Sequence, residues 1–155
     1  MRFIALFALV LTSSAFAQDY VTKKVSFTIP TMNLGIQTFY NCDSVESLTA
    51  AHIKTLGGEN VRVTCTGGID TWNPNWSTAA FVSAKFDALV PVGDNTGGQE
   101  RFMVRSSGVR SSDCQLNVFV MDKLVKAFPA VRVLERKVSC RGARGTWSYD
   151  IQITY

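Results

Sequence analysis

Asn41–Cys65 reads NCDSVESLTAAHIKTLGGENVRVTC, a run of helical periodicity, a double-glycine stop, an alternating run and a cysteine. Asp113–Cys140, DCQLNVFVMDKLVKAFPAVRVLERKVSC, follows the same plan. In each copy an Asn or Asp precedes a cysteine at the head of the apolar-periodic run. Each copy closes on valine, a hydroxyl residue and cysteine: Val63-Thr64-Cys65 and Val138-Ser139-Cys140. The first cysteines lie 72 residues apart and the second 75. Self-similarity at a near-constant offset is the mark of an internal repeat, here two half-repeats at 18–90 and 99–155.

Within the first unit, Val45, Leu48, His52 or Ile53, and Leu56 share one helical face. Asn41 is placed to cap the N-terminus, Asp43 and Glu46 suit its positive end, and Gly57-Gly58 supplies the left-handed stop. A helix from Cys42 to Leu56 advances about 21 Å at ~1.5 Å per residue. A strand from Glu59 to Cys65 returns about 20 Å at ~3.3 Å per residue, which brings Cys65 beside Cys42. The same geometry pairs Cys114 with Cys140. Two disulfides, Cys42–Cys65 and Cys114–Cys140, are therefore expected, each stabilising by about 2–4 kcal/mol.

Working outward, Val21, Lys23, Val25, Phe27 and Ile29 alternate with polar residues, as do Ala80 to Ala88 after the loop TGGIDTWNPNW. Both read as half-buried strands. The segment 91–98 (PVGDNTGG) is turn chemistry and joins the halves. Phe102 and Val104 mark a short strand. The second helix is apolar on more than one side (Leu116, Val118, Met121, Val125) and should be the more buried. The phase change between Val131/Val133 and Val138/Cys140 predicts a bulge near Leu134–Arg136. Trp147 to Tyr155 alternates cleanly to the end. The order β-α-β-β twice implies an α+β fold, a mostly antiparallel sheet of about six strands with two helices packed on one face.

The N-terminus, MRFIALFALVLTSSAFA, has one Arg, an apolar run and an A-F-A site, the pattern of a secretory signal peptide cut after Ala17. A short signal of this kind favours a bacterial pathway, and a periplasmic or extracellular protein with no transmembrane segment in the mature chain. Residues 18–155 are then one domain.

The composition offers little to catalysis, and no catalytic residue is assigned. His52 is the single histidine and lies mid-helix, no carboxylates fall at a spacing that would pair them, and no ligand spacing suits a metal. No motif asks for a cofactor. Binding has two candidate surfaces. Trp72 and Trp76 sit in a polar loop, and tryptophans so placed are enriched in interface hot spots. Residues 96–155 hold 10 Lys/Arg against 5 Asp/Glu, whereas 18–95 hold 5 against 7. That surplus concentrates in Arg132, Arg136, Lys137, Arg141 and Arg144, of which Arg136, Arg141 and Arg144 are the binding candidates. The reading is a non-catalytic, exported binding module for a protein or cell-envelope ligand. Nucleic acid is disfavoured because no recognition motif appears and export removes the usual partner. The alternatives are a small secreted hydrolase using His52, and a structural or assembly protein of the cell envelope.

Overall fold

The computed structural model describes residues 19–33, 36–69, 76–91, 98–141 and 143–154. The first half runs β1 (Tyr20–Thr28), a small hairpin of β2 (Met32–Asn33) and β3 (Ile36–Gln37), α1 (Cys42–Thr55), β4 (Glu59–Thr66) and β5 (Phe81–Leu89). The second runs β6 (Gln99–Arg110), α2 (Ser111–Leu124), a 3-10 turn (Val125–Ala127), β7 (Val131–Ser139) and β8 (Arg144–Thr154). Hairpin aside, both halves follow β-α-β-β, and their strand orders correspond, β1-β5-β4 and β6-β8-β7. Every strand pairing is antiparallel. The class is α+β, as the periodicity implies.

The sheet is not continuous. Instead of one sheet of about six strands, each half closes its own three-stranded sheet. The physical reason lies in α2. Leu116, Val118, Val120, Met121 and Leu124 are all buried, and a helix apolar on several sides cannot be covered by one sheet. Each helix in fact touches both sheets. From α1, His52 meets Trp147 of β8 edge-on at 5.8 Å. From α2, Phe119 meets Phe27 of β1 at 6.0 Å. Phe128, after α2, stacks on Phe86 of β5 at 4.8 Å. The core is thus shared, with Val82, Ala84, Phe86 and Ala88 lining one sheet and Trp147, Tyr149, Ile151 and Ile153 the other.

Two local expectations need correcting. The strand around Phe102 and Val104 is 12 residues long, because a register shift between Ser107 and Val109 lets Gly108 (φ +71°) turn without ending the ladder. The second helix begins at Ser111, so Asp113 lies in its first turn and Arg110 occupies the cap without a side-chain bond. In α1 the cap is Asn41, whose side chain accepts from the Ser44 amide at 3.2 Å. The β7 register shifts between Val133 and Glu135 and leaves Leu134 unpaired.

Candidate functional site at the disulfide end

Cys42–Cys65 and Cys114–Cys140 are bonded, with Cα separations of 5.4 and 5.5 Å. Each ties the start of a helix to the end of the returning strand. Glu46 of α1 adds a bond by accepting from the Cys65 amide at 2.6 Å, and Ser111 donates to the Cys140 carbonyl. The Tyr40 hydroxyl donates to the Ser112 carbonyl at 3.3 Å, which joins the approach to α1 with the first turn of α2. Both helix N-termini, both disulfides and the loops leaving them therefore lie at one end of the molecule.

The loop after Cys65 is pinned at its mouth. Gly67 and Gly68 take φ of +81° and +79°, the Ile69 amide donates to the Tyr40 carbonyl, and the Thr78 amide to the Gly68 carbonyl, both at 3.0 Å. A side chain on Gly68 would run into the Tyr40 carbonyl, so the turn needs glycine on steric and conformational grounds. Trp76 is 73 % exposed, with exposed Ile69 and Phe81 on the same half. Trp72 lies outside the described residues. After Cys140, Arg141 is exposed, and Arg144 opens β8 directly opposite Arg110 of β6, also exposed. Like charges facing across strands are destabilising, so this pair raises the positive potential at the edge of the site.

Arg136 does different work from Arg141 and Arg144. The Leu134 bulge reverses the strand's parity and sets Arg136 opposite Tyr149, on the face toward the helices. Its Nε and Nη2 donate to Asp122 of α2 at 3.0 and 2.8 Å, and Nε also reaches the Tyr149 hydroxyl. The Asp122 hydrogen bonds hold the guanidinium charged. Burial, then the bond to Asp122, pushes the Tyr149 phenol well above its usual range. Sequence periodicity could find Arg136 but not its partner, because Asp122 belongs to another element.

His52 is 6 % exposed. Its Nε2 lies 3.0 Å from the Asn117 side-chain oxygen, and burial lowers its pKa below the ordinary histidine value. The Asn117 amide in turn donates to the Asp113 carbonyl, so His52 joins α1 to α2. Among the described residues no three His, Cys, Asp or Glu side chains converge as a metal group, and no helix is long and apolar enough to cross a membrane. Comparison with protein families, with characterised proteins and with solved structures finds no match to this chain.

Proposed function

We propose that this protein is an exported, disulfide-stabilised binding module whose ligand, a protein or cell-envelope component, docks at the disulfide end. One observation carries the reading: Trp76 is 73 % exposed at the same end as the exposed Arg141 and Arg144. An exposed indole provides apolar area and a polar handle for a partner, while the arginines at the same end steer an acidic one. Two disulfides fit the oxidising compartment that export implies. Cleavage after Ala17 would leave Gln18 as the first residue of the mature chain, which N-terminal sequencing of exported protein checks.

The test of the binding surface is a photocrosslinking residue placed at position 76 in the producing cell, with a control at exposed Thr55 near the C-terminal end of α1. A discrete adduct at 76, missing at 55 and diminished by Arg141→Ala with Arg144→Ala, is the expected result. The same adducts at both positions would defeat the reading.

A further inference from the structure

The outward faces of the two sheets carry a matching arrangement of side chains. In the first sheet Lys24 stands opposite Lys85, and Lys85 opposite Arg62. The next outward row toward the disulfide end is Ser26, Ser83 and Thr64, again in cross-strand register. In the second sheet Arg105 and Lys137 flank Ser148, and the next row is Ser107, Thr146 and Ser139. Thr64 and Ser139 each immediately precede the second cysteine of their half. The paired rows therefore occupy corresponding positions, cations first and three hydroxyls beside them.

These cations are only partly offset by the protein: Lys85 acts on Asp87, and Lys137 on Asp150, closely enough to lower each carboxyl's pKa. Among the described residues no direct ion pair involves Lys24, Lys85, Arg62 or Arg105, and Lys137 pairs with the exposed Glu135 at 2.9 Å. The carboxylate nearest the first row, Asp87, accepts from Thr22 at 2.6 Å and Asn60 at 2.8 Å. Three cations in direct cross-strand register repel one another, a cost that an anion laid across them removes. Strands sit ~4.8 Å apart, so such a row spans about 10 Å. On the second sheet Arg105, Lys137 and the hydroxyls of Ser107, Ser139, Thr146 and Ser148 line an open depression of about 960 Å³.

We infer that each outward sheet face is a platform for an anionic polysaccharide. The cation row takes its carboxylate, sulfate or phosphate groups, and the hydroxyl row, able both to donate and to accept, takes the sugar hydroxyls. The rows themselves carry no aromatic or apolar side chain, while exposed Phe81 and Met103 stand at the next outward positions of β5 and β6, so the test includes an oligonucleotide and vesicles. These platforms are separate from the Trp76 loop and do not depend on it.

The experiment is calorimetric titration of the mature chain with a heparin-derived hexasaccharide and, separately, an oligogalacturonate of equal length. At least one should bind with two equivalents per chain and weaken as salt rises. Binding of the heparin fragment alone identifies sulfate as the required group, and binding of the oligogalacturonate shows that carboxylate suffices. Lys24→Gln/Arg62→Gln/Lys85→Gln should reduce the stoichiometry to one, as should Arg105→Gln/Lys137→Gln, and the combined variant should not bind. Ser26→Ala with Ser107→Ala should weaken both sites about fivefold, the scale of a neutral hydrogen bond, with the salt dependence retained. Trp76→Ala with Arg141→Ala should bind as wild type, which separates this surface from the disulfide-end site. Thermal unfolding of each variant verifies the fold, and relief of repulsion should leave it unchanged or more stable. The inference is overturned if neither oligosaccharide binds or if the combined variant binds undiminished. Tighter binding of phosphatidylglycerol vesicles or of a single-stranded oligonucleotide through the same residues overturns it as well.

Discussion

At the scale of single residues, His52 joins the halves through Asn117 and Trp147, and it sets a pH dependence whose sign can be worked out. Burial lowers its folded pKa below the ordinary histidine value of 6.5, so the unfolded chain takes up the proton more readily. Its contribution to stability is complete above pH 6.5 and falls away as pH drops from there toward the folded pKa. Asp87, held low by Thr22 and Asn60, and Asp150, held low by Arg101, lose their contributions only as pH falls through values below 3.8. The two windows are separate. Urea unfolding across a pH series should show stability declining just below 6.5 in the wild type and a flatter profile in His52→Gln, which can still donate to Asn117. His52→Ala should cost about 2 kcal/mol through the cavity and the orphaned Asn117 oxygen. Thr49 offers the opposite case. It is fully buried and its hydroxyl has no hydrogen-bond partner among the described residues, so Thr49→Val, nearly the same shape without the stranded polar group, should stabilise by about 1 kcal/mol. Chemical denaturation measures both.

At the scale of elements, the two helices begin alike in sequence and differently in structure. Asn41 caps α1 with its side chain, while Asp113 sits inside α2. Asn41→Ala should therefore cost about 1 kcal/mol, and Asp113→Ala only about 0.5 kcal/mol through the helix dipole. Equal losses in denaturant titrations would mean that the caps are equivalent after all. This contrast marks how far the sequence is legible. Alternation located β1, β5 and β8, glycine placed the end of α1, and matched lengths of helix and strand brought the cysteines together, because those signals are local. The parity change in β7 showed the bulge for the same reason, with Leu134 as the unpaired residue. Strand pairing is not local: nothing in the run from Gln99 to Arg110 says that it pairs with β8 throughout, or that β1 and β6 belong to different sheets. The candidate site divides along the same line. Trp76, Arg141 and Arg144 stand out as candidate binding residues from composition, although the exposure of Trp76 does not follow from it, whereas the matched cation rows emerge only once register sets Lys24, Lys85 and Arg62 abreast.

At the scale of the whole molecule, the contacts between the halves predict that they fold together. Each sheet is a three-stranded ladder with one apolar face, and that face is completed from the other half. Phe128 lies on Phe86, a side chain on Gly58 would collide with Ile53 and press on Phe128, and the His52–Asn117 bond joins the helices. Cutting the chain within 91–98 would expose Phe86 and Phe27 on one piece and Phe119 and Phe128 on the other. The entropy of ordering 73 residues in one fragment or 57 in the other leaves little margin for such a loss. Fragments 18–90 and 99–155 should therefore each be unfolded alone even with their disulfides formed. The intact chain should unfold in a single transition. Phe128→Ala tests the coupling inside the full chain, since it removes one ring from the contact between halves and touches neither disulfide. A buried phenylalanine deletion costs about 3–5 kcal/mol. If the core is shared, hydrogen exchange should speed up in β5 and β4 as well as in β7 and β8, by a similar factor in each. Acceleration confined to the second half would show that the first sheet stands without its partner, and the two units would then have to be treated as separate domains.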